Sequence, residues 1–293
     1  MKCFKCNTEN QTYHKYCYEC GIILTDNKSD LEESLLKASD SSRMAKFSFV
    51  LKINDMVDKA VEAYLKIIEA HPKWPDMHFK LGNIYELKGL TGKSVAEYKE
   101  ALSINPRYRE VRRCLGELYL KEGFYDEALV EFNELLSIET RYWYADVHNN
   151  LGVAYEKLGD YDKAVECYEK ALSINSRYAM ALYNYGNIFF NKRDVEKAIE
   201  QYEKSISSYP GYASCHNNLG IAYGSREDYD KSITAFLKAI ELDPDNAQYH
   251  HNLATVYYQK DKIDMALEEF KKALSLDPND EESKKFIEEL TEN

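Results

Sequence analysis

From residue 41 onward the apolar positions follow helical rather than strand spacing, and the whole pattern recurs every 34 residues. One copy reads Leu81, Gly82 and Tyr85, then Ser94, Tyr98 and Ala101, then Pro106. It returns as Leu151, Gly152, Tyr155, Ala164, Tyr168 and Ala171, with Ser176 in the proline slot. Two more copies are Leu219, Gly220, Tyr223, Ser232, Phe236, Ala239, Pro244 and Leu253, Ala254, Tyr257, Ala266, Phe270, Ala273, Pro278. Spacings of three and four mark one stripe on each of two amphipathic helices. Small residues at the eighth and twentieth positions let the two helices approach, so Gly82 is expected to face Ser94 and Gly152 to face Ala164. The large residues at positions seven, eleven and twenty-four fill the space around that approach. Gly159 and its counterparts end the first helix of each pair. Five of the six prolines stand at position thirty-two, where a helix must stop.

This residue set resembles the tetratricopeptide repeat (TPR) family, whose helix-turn-helix unit stacks into a solenoid. The resemblance implies an all-α TPR superhelical solenoid of antiparallel helix pairs. Seven repeats are predicted, at 41–74, 75–108, 109–142, 145–178, 179–212, 213–246 and 247–280. The first is degenerate, keeping Phe47, Leu51, Ala60, Tyr64 and Pro72 but carrying Ser48 where glycine is usual. Trp143-Tyr144 lengthen the spacing between the third and fourth repeats, and Thr140 replaces the proline there. Residues 281–293 place Phe286, Ile287 and Leu290 on one stripe and read as a helix capping the last repeat. Such a solenoid offers a long groove, not an enzyme pocket.

Composition narrows the partners. The net charge is −12, with both signs interspersed, which excludes the basic face that nucleic acid requires. No stretch reaches the roughly 18 apolar residues of a membrane span, and the first residues carry no apolar signal core. These features predict a cytoplasmic protein. Of 25 tyrosines, sixteen fall at four repeat positions, so most of the aromatic content is packing. Cys114, Cys167 and Cys215 are scattered among the repeats and read as small buried apolar side chains.

The other four cysteines form a separate module at residues 1–24, joined to the repeats by a polar linker at 25–40 with a short amphipathic helix. Cys3-x2-Cys6 and Cys17-x2-Cys20 are two pairs ten residues apart. Four thiolates on two tight turns can close a tetrahedron around a structural Zn²⁺, leaving no open position for substrate. Gly21 after the second pair and Asn7 after the first suit the positive φ of such turns. The run closely resembles the short zinc-ribbon family. Two disulfides in a secreted peptide are the alternative. His14 is read as a surface residue, since four cysteines already fill the shell.

Placing the first helix of each repeat at 100° per residue puts positions 2, 5, 6, 9, 12 and 13 opposite the packing stripe. In TPR proteins that side is the concave surface. Position six is Asn150, Asn184, Asn218 and Asn252 in repeats four to seven. Asparagine is roughly 0.6 kcal/mol worse than alanine in a helix, so propensity does not explain the repetition. Its amide offers a donor and an acceptor, as an extended peptide backbone requires. The ladder resembles that of the TPR superhelix of O-GlcNAc transferase; inheritance from one ancestral repeat without a ligand is the competing reading. Asn149, Tyr183, Asn187, Asn217 and His251 complete the expected peptide-binding lining, with Phe190, Tyr258, Gln248 and Gln259 beside them and Glu156 and Asp146 at the edge. The carboxylate clamp of chaperone-binding TPR proteins is not matched, because Glu117 stands where the clamp wants asparagine. The expected function is therefore a non-enzymatic scaffold binding an extended, largely uncharged peptide, with the zinc ribbon as an accessory docking module. The alternative is a regulatory or substrate-recruiting subunit of an enzyme supplied by another chain. On propensity alone, replacing the four asparagines with alanine is expected to leave stability nearly unchanged.

Overall fold

The computed structural model describes residues 41–138 and 145–292, with side chains over 56–138 and 145–290. The cysteine module with Cys3, Cys6, Cys17 and Cys20, the linker at 25–40, and Thr140 with Trp143-Tyr144 lie outside the described residues. Every element among the described residues is a helix, and the chain divides into two compact units on either side of residue 140.

The first unit holds α1 (Ser41–Ala70), α2 (Pro75–Leu87), α3 (Thr91–Ile104), α4 (Arg109–Glu122) and α5 (Tyr125–Ile138). Pro75 opens α2, where its missing N–H costs no helical hydrogen bond. Helices α2 and α3 pair across a short turn, as do α4 and α5, and each pair packs on the next. Leu81, Tyr98, Leu115 and Phe132 are fully buried between them. The repeat expected at 41–74 is corrected here: α1 runs from Ser41 to Ala70 without a turn. That stretch contains neither glycine nor proline, so nothing in it stops a helix.

The second unit holds α6 (Ala145–Lys157), α7 (Tyr161–Ile174), α8 (Ala179–Asn191), α9 (Val195–Ser208), α10 (Ala213–Ser225), α11 (Tyr229–Leu242), α12 (Ala247–Gln259), α13 (Ile263–Leu276) and α14 (Glu281–Glu292). They form four pairs followed by a single helix. Asp160 and Asp194 cap α7 and α9, each accepting from a backbone N–H three residues on, at 3.3 Å. The ammonium groups of Lys163 and Lys197 return to the same carboxylates at 2.7 and 2.8 Å and hold both carboxyls below their ordinary range. Helix α14 lays Phe286, Ile287 and Leu290 on the last pair, with the Phe286 ring stacked 4.8 Å from that of Phe270.

Two details refine the packing logic. The glycine at position eight answers mainly to the aromatic ring at position twenty-four. A Cβ on Gly82 would stand 2.6 Å from the Tyr98 ring, against 3.4 Å from the Ser94 carbonyl. On Gly152 it would stand 2.5 Å from the Tyr168 ring. Second, each first helix from α2 to α12 ends at a residue with positive φ at position fifteen. Three are glycines, Gly89, Gly123 and Gly159; the others are Arg193, Glu227 and Asp261.

Candidate functional site

The first helices of repeats four to seven, α6, α8, α10 and α12, carry the asparagine register. Helical spacing brings positions five, six and nine onto one face, and stacking brings that face of one repeat against the next. The amides at position six then have partners at a fixed separation. Asn184 Nδ2 donates to Asn149 Oδ1 at 3.0 Å, Asn218 Nδ2 to the Tyr183 hydroxyl at 3.1 Å, and Asn252 Nδ2 to Asn217 Oδ1 at 2.8 Å. In each case the acceptor stands 35 residues earlier, at position five of the preceding repeat.

Bonds within each repeat complete the chain. Asn149 and Asn217 donate to Asn150 and Asn218 at 3.3 and 3.2 Å, and Gln248 donates to Asn252 at 3.0 Å. Asn218 also donates to Asn187 Oδ1 at 2.9 Å, which accepts the Tyr202 hydroxyl at 2.7 Å. The register therefore joins one repeat to the next. Asn149, Asn217 and His251 are buried, whereas Asn150, Tyr183, Asn184, Asn187, Asn218 and Asn252 are half-buried. His251 turns to the capping helix, where its Nδ1 meets Ser283 Oγ at 2.8 Å.

An amide has two N–H groups and two lone pairs. Asn218 commits both N–H groups within the protein and Asn184 and Asn252 each commit one. Asn187 commits its oxygen twice and lines a small pocket of about 210 Å³. Glu156, Phe190, Asn191, Tyr202, Asn218 and Ile221 line the rest of it. Burial lifts the Tyr202 and Tyr183 phenols above their ordinary range, so both remain neutral hydroxyls. Glu156 accepts the Tyr168 hydroxyl at 2.8 Å and keeps lone pairs for another donor. Ligand pockets usually run to roughly 300–1,000 Å³, so this one suits a single side chain rather than a cofactor.

Position-by-position reading of the sequence did not foresee the tyrosine hydroxyls' partners. Tyr98 donates to Asn83 at 2.6 Å and to Glu86 at 2.9 Å, which repeats the Tyr202–Asn187 and Tyr168–Glu156 bonds. The signal was present as a co-occurrence. In repeats two, four and five position twenty-four is tyrosine and position nine or twelve is asparagine or glutamate; with Phe236 and Phe270 the same positions are Ile221 and Gly224, and Thr255 and Tyr258, whereas Phe132 keeps Glu117 at position nine. Cys114, Cys167 and Cys215 are buried free thiols, as expected of packing residues. Burial pushes Cys114 and Cys215 up to about 12. Among the described residues no cluster of histidine, cysteine and acidic side chains could hold a metal ion. No described helix is long and apolar enough to cross a membrane.

Family models described as Tetratricopeptide repeat match residues 75–108, 145–178, 179–212 and 247–280, and one described as TPR repeat matches 222–261. No curated protein is significantly similar to the chain. Among solved structures, the APC/C hetero-tetramer Cut9–Hcn1 aligns with a TM-score of 0.67 at 19% identity, over 80% of this chain and 46% of that one. This chain thus spans less than half of that relative. MamA from Desulfovibrio magneticus RS-1 aligns at 0.51 with 28% identity, over 59% of this chain and 96% of MamA. YrrB, a TPR protein with an unusual peptide-binding site, aligns at 0.50 with 23% identity, over 65% of this chain and 97% of YrrB. Together the matched segments exceed half of the sequence, and four of them each span one helix pair. The chain belongs to the tetratricopeptide repeat family.

Proposed function

We propose that the chain is a non-enzymatic scaffold that holds an extended peptide segment of a partner protein across the asparagine face of repeats four to seven. The observation that carries this reading is the pocket around Asn187, where amide, carboxylate and apolar side chains converge on room for one side chain. Peptide backbone would run along the half-buried amides of Asn150, Asn184, Asn218 and Asn252, and one partner side chain would enter between Phe190 and Ile221. The internal ladder holds those amides in place before binding, which lowers the ordering cost of association. The peptide-binding description of YrrB shows what this fold can do in one relative.

The test is affinity capture with the parent chain and an Ile221→Arg variant, whose added side chain would fill the pocket. Ile221 is 36% exposed, so the change leaves the core intact. Partners retained by the parent should be lost by the variant at equal helicity; equal recovery from both refutes the reading.

The cysteine pairs belong to the same proposal as an accessory docking module. Cys3, Cys6, Cys17 and Cys20 would supply four thiolates to one structural Zn²⁺, coupling metal binding to folding of that module. Elemental analysis should give about one zinc per chain, and a metal-free preparation that keeps an ordered N-terminus would contradict it. A thiolate zinc site beside buried free thiols fits a reducing compartment such as the cytoplasm.

A further inference from the structure

A second internal register runs through position four. There His78 Nε2 meets the Pro72 carbonyl at 3.1 Å and Nδ1 meets Glu97 Oε2 at 2.7 Å. His250 does the same, with Pro244 at 3.2 Å and Glu269 at 2.6 Å. Arg112 substitutes for histidine in the third repeat and reaches the Pro106 carbonyl and Glu131. The rule is a histidine or arginine bridging the proline carbonyl of the preceding repeat and an acidic side chain at position twenty-three of its own. Each such histidine thus sets one ring nitrogen on a carbonyl oxygen and the other on a glutamate oxygen.

The sixth repeat keeps half of this device. His216 Nε2 meets the Pro210 carbonyl at 2.9 Å, but position twenty-three is Ala235. His216 and Ala235 both line a cleft of about 960 Å³. His216 is only 9% exposed, and its Nδ1 side opens on the space that a glutamate side chain fills in repeats two and seven. Ile206, Leu219 and Leu237 supply apolar walls. The rim carboxylates are already partnered: Glu203 by the Tyr223 hydroxyl at 2.6 Å, Asp230 by Lys260, and Glu241 by Lys238 at 2.7 Å. This cleft shares no residue with the pocket around Asn187.

We propose that the cleft is a second docking site, which takes a partner segment presenting a glutamate between leucine-sized apolar side chains. The partner carboxylate accepts from His216 Nδ1 and restores in trans the pair that repeats two and seven make internally. The apolar neighbours of that glutamate cover Ile206, Leu219 and Leu237. The site does not depend on the groove reading, and either can fail without the other.

The probes are acetyl-Leu-Leu-Glu-Leu-Leu-amide and its glutamine counterpart, titrated into the full chain while the imidazole resonances of His216 are followed by NMR. The glutamate peptide should shift them and bind tighter than the glutamine peptide by roughly tenfold or more, the scale of a hydrogen bond to a charged group. An Ala235→Glu variant should restore the internal pair and abolish binding. If that variant does not fold, His216→Gln, which can still donate to the Pro210 carbonyl, should erase the preference for glutamate. Equal binding of the two peptides, or no shift with either, overturns the proposal and leaves the cleft to water.

Discussion

At the residue scale, the asparagines at position six act first on their own protein. Propensity favours alanine there by roughly 0.6 kcal/mol, which predicts a neutral or stabilising replacement. The ladder reverses that expectation. Asn252→Ala would remove the 2.8 Å donor to Asn217 Oδ1, an atom of a residue only 7% exposed. Leaving a buried acceptor without its donor costs about 1–3 kcal/mol, which outweighs the propensity gain. Chemical denaturation of Asn252→Ala should therefore show a loss of about 1 kcal/mol or more. A variant as stable as the parent would mean that the inter-repeat bonds contribute nothing. The register of these amides was legible in the sequence. Their acceptors were not, because the distance from position six to position five of the preceding repeat depends on how repeats stack. For the same reason an alanine scan of the ladder mixes stability with binding, and the pocket residue Ile221 makes the cleaner probe.

At the scale of the element, nearly all helix boundaries follow from local chemistry. Prolines at position thirty-two and small residues at position eight marked the pairs from residue 75 onward. The turn at position fifteen was read from glycine, which marks it at Gly89, Gly123 and Gly159 but not at Arg193, Glu227 or Asp261. Those three adopt positive φ because the pair on either side of the turn must still close. A side chain in that region costs roughly 1–2 kcal/mol. Glu227, exposed at φ 62°, should thus gain about 1 kcal/mol of stability on replacement by glycine, as measured by thermal or denaturant unfolding. A loss would show that its side chain contributes more than its backbone strain removes. Helix α1 is the opposite case. Its packing positions resemble a repeat, yet with no glycine or proline between Ser41 and Ala70 the local preference for continued helix prevails.

At the scale of the whole molecule, both units bury phenols. Tyr98 in the first and Tyr168, Tyr202 and Tyr212 in the second are all held above their ordinary range, burial being the largest cause in each. A phenol whose folded value is raised contributes stability that is complete below its unfolded value, about 10, and that disappears as pH climbs past it. Alkaline titration should accordingly couple ionisation of these tyrosines to loss of helix. Ultraviolet difference spectra recorded beside circular dichroism would reveal it, and full ionisation near pH ~10 with helix intact would contradict the burial.

The central claim is that the asparagine face of repeats four to seven holds a partner peptide. Its most direct measurement is site-specific photo-crosslinking, with a photoreactive residue at Ile221 in the pocket and, separately, at the exposed Lys272. A covalent adduct to a defined peptide segment of a partner is expected from position 221 and none from position 272. Equal labelling from both positions, or none from 221 while the partner stays bound, would contradict it.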